Sequence, residues 1–100
     1  MSGLADVYRQ AALLLINRGW CQHKTGDHGH RLDLNGALGQ AQKDVGYLAT
    51  DPDPVLPVAQ YLGMMCWRWN DTPGRSLAEV LDLLHTMETE AWVERADPRG

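Results

Sequence analysis

Residues 69–79 read WNDTPGRSLAE and contain two strong boundary signals. The Pro-Gly pair is typical of a tight turn, and Ser76 followed by Glu79 is a capping box that predicts the start of a helix. Behind this cap, apolar residues recur at near-heptad spacing as far as Trp92. The stretch therefore predicts a connection between two helices. The second of these helices has an acidic face formed by Glu79, Asp82, Glu88, Glu90 and Glu94.

The segment before this connection predicts a long apolar helix. Asp53 followed by Pro54 is a typical N-cap and first helical residue, and the apolar run continues to about Trp69. A helix that is apolar on nearly all sides is usually the buried centre of a bundle, or it has a partner on its second face. In the second case a dimer or a protein partner would cover its Trp-rich and Met-rich surface.

Two further helices are predicted in the first half of the chain. Helical spacing of apolar residues indicates one over residues 4–18, with Ser2 as a candidate N-cap and Gly19 as the C-cap. Asn35 is a candidate cap for another helix over residues 36–49. A Gly-Asp pair at 26–27 lies midway between these helices, and polar and apolar residues alternate after it at 31–34. This pattern predicts a short β-hairpin, with an ordered loop as the alternative.

The expected fold is therefore mainly α. We expect one domain over residues 1–100, with four helices, a hairpin or ordered loop between the first two, and a frayed tail at 96–100. The predicted centre of the core consists of Leu62, Trp69, Leu81 and Leu84.

Charge and cysteine content exclude several classes of protein. The net charge is −4 and the nine basic residues are scattered, which argues against nucleic-acid binding. The acidic fourth helix argues against a helix-turn-helix for the same reason. Two cysteines do not make a disulfide framework, and the apolar run at 11–16 is too short to span a membrane. These features favour a cytoplasmic protein.

A first candidate site lies between the first two helices. Cys21, His23, His28 and His30 supply four soft ligands within ten residues. If the hairpin forms with a two-residue turn, all four side chains fall on one face and could bind zinc or nickel. A one-residue slip in register would separate them. The alternative is a solvated polar tip with Cys21 buried.

A second candidate site is the connection that precedes the fourth helix. In the functional interpretation, Asp71 and Arg75 bind a polar group of a partner, and Trp67 or Trp69 is an aromatic anchor beside them. In the structural interpretation, the same side chains satisfy helix ends, and Arg75 pairs with Asp71. The candidate partner-binding residues are Trp67, Trp69, Asn70, Asp71 and Arg75.

Three motifs occur in order along nearly the whole chain. They are Gly-Trp-Cys-Gln at 19–22, Gly-Ala-Leu at 36–38 and Trp-Asn-Asp-x-Pro-Gly-Arg at 69–75, of which the last is the most specific. Together they resemble a family of small proteins of high-GC Gram-positive bacteria and their phages, a domain of unknown function. That family often has a Cys shortly before Gly-Ala-Leu, where this chain has Asp33. The resemblance implies a fold and a compartment, but no reaction.

The residues favour a small non-enzymatic interaction or regulatory protein. It would bind a protein partner or itself as a homodimer, without a cofactor, and could be phage-associated. Catalysis is not favoured, because Cys21 and His23 have no third group to orient them, and Cys66 lies in an apolar helix and is expected to be a core thiol. The alternative from another class is a metal-binding or metal-dependent catalytic domain that uses zinc at residues 21–30.

Overall fold

Helices form the architecture, and their caps explain most of their bounds. A computed structural model describes residues 3–23, 29–48 and 50–96. The mainly α class is confirmed for this part of the chain. Its helices are α1 (Leu4–Arg18), α2 (Leu34–Val45), α3 (Val55–Leu62), α4 (Cys66–Asn70) and α5 (Leu77–Ala96).

Helix α1 is the centre of the core and packs against both α2 and α5. Its buried residues recur at the spacing of one helical face, and α2 and α5 each bury a similar stripe against it. The predicted centre is therefore misplaced: of its four residues only Leu84 is fully buried, and the others lie at the edge of the core. The core stripes are Val7, Tyr8, Ala11 and Leu15 on α1; Leu34, Ala37, Leu38 and Ala41 on α2; and Val80, Leu83, Leu84 and Met87 on α5.

The long apolar helix predicted up to Trp69 is two helices. Gly63 adopts a left-handed conformation with φ 71° and donates its N–H to the Ala59 carbonyl, which ends α3. The chain restarts as α4 only at Cys66. Within these two helices only Val58, Cys66 and Asn70 are fully buried, so the segment is not the centre of a bundle.

Helix α2 begins two residues earlier than predicted. The carboxylate Oδ1 of Asp33 accepts a hydrogen bond from the Gly36 N–H at 2.7 Å, so Asp33 and not Asn35 is the N-cap. The helix ends at Val45, where Gly46 adopts a left-handed conformation. The predicted helix to Ala49 was therefore too long, because the described residues 46–48 are not helical. Asp33 thus has a structural role as the N-cap of α2.

The predicted β-hairpin is not found in the described residues that flank its turn. Trp20 and Leu32 form an isolated parallel bridge: the Leu32 N–H donates to the Gly19 carbonyl at 3.0 Å, and the Cys21 N–H donates to the Leu32 carbonyl at 3.1 Å. A hairpin requires antiparallel flanks, so the loop alternative describes residues 19–23 and 29–33. The predicted turn at 26–27 lies outside the described residues.

The remaining boundary predictions have mixed outcomes. Gly19 ends α1. The Ser76–Glu79 capping box is formed, with the Ser76 N–H donating to Glu79 Oε1 at 3.0 Å. Helix α3 begins at Val55 with Pro54 as its N-cap, one residue later than predicted, although Asp53 Oδ1 accepts from the Val55 N–H at 2.9 Å. The candidate cap Ser2 and residues 97–100 of the predicted tail lie outside the described residues.

Candidate functional site

The two candidate sites of the sequence meet at the side chain of Asn70. This residue ends α4 and is fully buried. Its Oδ1 accepts hydrogen bonds from Trp20 Nε1 at 2.7 Å and from the Leu34 N–H at 3.1 Å. Its Nδ2 donates to the Cys21 carbonyl at 3.2 Å and to Asp71 Oδ1 at 3.0 Å. One amide therefore joins the loop after α1, the start of α2 and the end of α4.

Gln22 makes a second link between the same two segments. Its Nε2 donates to the Asn70 carbonyl at 3.0 Å and to the Thr72 carbonyl at 2.9 Å. The Asn70 carbonyl lies at the C-terminal end of α4, where intrahelical donors run out. The Thr72 carbonyl also accepts from the Arg75 N–H at 3.1 Å. The Gly-Trp-Cys-Gln motif and the Trp-Asn-Asp motif thus bind each other, which favours the structural interpretation of both.

Asp71 fixes the turn at His23. The His23 N–H donates to Asp71 Oδ1 at 2.8 Å, and His23 Nδ1 lies 3.7 Å from Asp71 Oδ2. His23 has φ 49°, a left-handed conformation that is uncommon for a residue with a side chain. Partial burial pushes the pKa of Asp71 upward, but the His23 N–H, the Asn70 amide and the His23 charge together lower it below its usual value.

The structural interpretation predicted that Arg75 pairs with Asp71, and this prediction is wrong. Its guanidinium stacks 3.9 Å from the centroid of the Trp69 ring, and its Nε donates to the Trp69 carbonyl at 3.0 Å. Its Nη1 donates to Glu79 Oε2 at 2.7 Å. The hydrogen bond from Arg75 is the main cause that lowers the pKa of Glu79. The contacts of Arg75 with Trp69 and Glu79 therefore stabilise the connection from α4 to α5.

The proposed metal ligands are only partly described. Cys21 is buried, His23 and His30 are exposed, and His28 lies outside the described residues. Among the residues that the structure places, no three His, Cys, Asp or Glu side chains are grouped as metal ligands. Zinc or nickel at these four positions stays a prediction. The other thiol, Cys66, is buried as predicted, and burial raises its pKa to about 11.

The sequence profile of a family of unknown function, DUF6197, matches residues 1–90. The chain belongs to this family. Searches of the curated proteins and of the solved structures found no match to this DUF6197 chain. Within its described residues, no helix is long and apolar enough to cross a membrane.

The structure of the DUF6197 chain also exposes a set of apolar side chains that the motifs do not include. Residues 54–67, which we call the uncharged segment, contain no Asp, Glu, Lys or Arg. They supply five of the ten large hydrophobic side chains that are exposed in the described part. The five are Leu56, Tyr61, Met64, Met65 and Trp67.

Two open grooves lie on either side of Tyr61, over α5. The first, of about 340 Å³, is lined by α1, α3 and α5, and the second, of about 320 Å³, by α3, α4 and α5. Trp67 and Trp69 belong to the surface predicted from the sequence, whereas Tyr61 and both grooves were not predicted. The signal that could have found them is the absence of charge over residues 54–67, combined with the helix-ending Gly63.

Proposed function

We propose that this chain is a non-enzymatic protein-binding domain and that its uncharged segment is the contact surface. The observation that carries the proposal is the concentration of exposed apolar side chains on α3, α4 and the turn between them. Contiguous exposed apolar surface on a small domain commonly marks an interaction site. Met and aromatic residues are the types enriched at such surfaces.

The polar motif residues support the same proposal from the other direction. Asn70 is buried, and Gln22 and Asp71 are engaged within the chain. Arg75 is held by Trp69 and Glu79. Hydrogen-bonding groups that are engaged within the chain are not available to bind a ligand. The proposed contact surface therefore consists of apolar residues. Of the five predicted binding residues, only Trp67 offers a large exposed side chain.

The proposed setting is that of a cytoplasmic accessory or regulatory protein of high-GC Gram-positive bacteria or their phages. This setting rests on the motif resemblance. Metal binding at residues 21–30 is the rival function and makes a different prediction for metal content, which is given below.

The test compares two double variants in quantitative capture from a lysate of cells that express the protein. Tyr61→Ser with Met65→Ser removes apolar contacts from the uncharged segment. Ile16→Ser with Leu48→Ser is the matched control, because these side chains are equally exposed but lie elsewhere. We expect specific partners to be lost from the first variant and kept by the control. Partners kept by both variants would contradict the proposal.

Self-association is measured on the same proteins. Sedimentation velocity over a range of concentrations reports whether the wild-type chain forms a dimer, and whether Tyr61→Ser with Met65→Ser abolishes it. A dimer that this variant abolishes would make a second copy the partner. A stable monomer with no captured partner would overturn the proposed function.

A further inference from the structure

We propose that the partner is basic, and that it presents an amphipathic helix whose apolar face fills the two grooves beside Tyr61 while its Lys or Arg side chains reach the carboxylates of α5. This inference rests on the proposed function and adds the chemistry of the partner. Its evidence is the composition of the groove walls and the sign of the charges around them.

Both grooves are lined by a mixture of apolar and polar side chains. Tyr61 lines both grooves, so one side chain contributes to the two sites over α5. Tyr8, which lines the first groove, donates its hydroxyl to the Pro54 carbonyl at 2.8 Å and so fixes the start of α3 relative to α1. The walls are therefore preformed. The first groove is lined by Leu4, Tyr8, Pro57, Gln60, Tyr61, Met87, Glu90 and Ala91.

The charged side chains that line the grooves are all carboxylates, and one cation, Arg75, contacts Trp69 and Glu79 of the second groove. Glu90 lines the first groove, and Glu79 and Asp82 line the second. Helix α5 has no Lys or Arg before Arg95. Glu79 is engaged by Arg75. Asp82 and Glu90 are exposed, and within the described residues no ion pair involves either of them. Apolar side chains next to the carboxylates of Asp82 and Glu90 complement an apolar stripe flanked by cations.

The shape of the surface favours a helix over a small molecule or a second copy. Each groove is near the lower end of the range for ligand pockets, about 300–1,000 Å³, and is open to solvent. An amphipathic helix can place anchors from successive turns into neighbouring grooves between helices. A second copy of this chain carries the same acidic α5 and a net charge of −4, so its approach would bring like charges together.

The test uses a displayed library of 18-residue peptides with a fixed apolar helical stripe and randomised polar positions, selected on the full chain. We expect recovered peptides to be enriched in Lys and Arg over Asp and Glu. Their affinity, measured by fluorescence anisotropy, should fall about tenfold or more in Tyr61→Ala, because a central aromatic anchor dominates such contacts. The affinity should fall about fivefold in Asp82→Asn with Glu90→Gln, which removes the two proposed exposed ion pairs between these carboxylates and the Lys or Arg side chains of the peptide.

Matched controls separate the surface from general effects. Ile16→Ala removes an equally exposed apolar side chain outside both grooves, and Asp44→Asn with Asp51→Asn removes two exposed carboxylates elsewhere. Both should bind the peptides as the wild type does. Raising NaCl from about 50 mM to about 300 mM should weaken wild-type binding more than binding by the Asp82 and Glu90 variant, because salt screens exposed charges.

Each other outcome overturns a defined part of the reasoning. Neutral or acidic peptides that are sensitive only to Tyr61→Ala would refute the basic partner and leave the proposed function standing. Peptides insensitive to Tyr61→Ala and to the charge variant would refute both. Recovery of no peptide would refute the basic helix, and a dimer that Tyr61→Ala abolishes would assign the grooves to a second copy.

Discussion

Replacing Asn70 by Ala should be the most damaging single polar substitution in the described fold. The change removes the partner of the Trp20 indole N–H, the Leu34 N–H and the Cys21 carbonyl at once. A buried polar group left without a partner costs about 1–3 kcal/mol. Trp20 is only partly buried and can be reached by water, whereas the Asn70 bonds to Leu34 and Cys21 are buried. We therefore expect a loss of about 3–5 kcal/mol in the free energy of unfolding.

This loss is large for a chain of this length. A domain of 100 residues is typically stable by about 5–15 kcal/mol, and each kcal/mol corresponds to about 4–8 °C in Tm. Asn70→Ala should lower Tm by about 12–40 °C in thermal denaturation followed by circular dichroism. If the variant does not fold, Gln22→Ala tests the same link, with an expected loss of about 1–2 kcal/mol.

Asn35→Ala is the matched control for Asn70→Ala, because Asn35 is exposed on α2. Its stability should stay within about 0.5 kcal/mol of the wild type. Urea denaturation followed by tryptophan fluorescence gives the free energies for both variants. A loss below about 1 kcal/mol for Asn70→Ala would refute the inference that Asn70 holds the loop to α4.

Three further predictions concern titration, thiols and metal. The pKa of Asp71 is lowered in the folded chain, so its ionised form stabilises the fold at pH values above the usual carboxyl pKa of 3.8, and this stability is lost as the pH falls through the folded-state pKa. Asp71→Asn should therefore lower the free energy of unfolding by about 1 kcal/mol at pH 7 in urea denaturation. Equal stability of the two proteins at pH 7 would contradict this. Cys66 should resist alkylation at pH 8 until denaturant is added, because it is buried and its pKa is raised to about 11; rapid labelling of the native chain, located by mass spectrometry, would show otherwise. Protein purified without a His tag should hold no stoichiometric zinc or nickel by elemental mass spectrometry; one ion per chain that is lost in His23→Ala and His30→Ala would support the metal site instead.

Local signals predicted the parts of the fold that local chemistry determines. The C-cap at Gly19 and the capping box at Ser76 depend on residues within one turn, and both appear where the sequence places them. The start of α2 was misplaced because Asp33 and Asn35 are both good caps, and the burial of Leu34 against the core favours the earlier one. Capping propensity alone does not distinguish two good capping residues that lie two positions apart.

Two features of the fold could not be predicted from local sequence patterns: the exposure of the apolar segment and the contacts between the motifs. The end of the helix at Gly63 left Tyr61 and Met65 exposed, although an apolar run of this length is equally typical of a buried helix. The bonds from Asn70 and Gln22 join residues about fifty positions apart. No periodicity or spacing records such a contact. The motifs were therefore visible as candidates, but their partners were each other.

Residues that stabilise the fold should be distinct from residues that bind a partner, and one comparison tests this distinction most directly. Partner capture is measured for Tyr61→Ala and Gln22→Ala at a temperature where both remain folded. We predict that Tyr61→Ala keeps a Tm close to that of the wild type and loses the partner, because its side chain is 55% exposed. Gln22→Ala should have a lower Tm and keep the partner. Capture by Tyr61→Ala together with loss by folded Gln22→Ala would contradict the account.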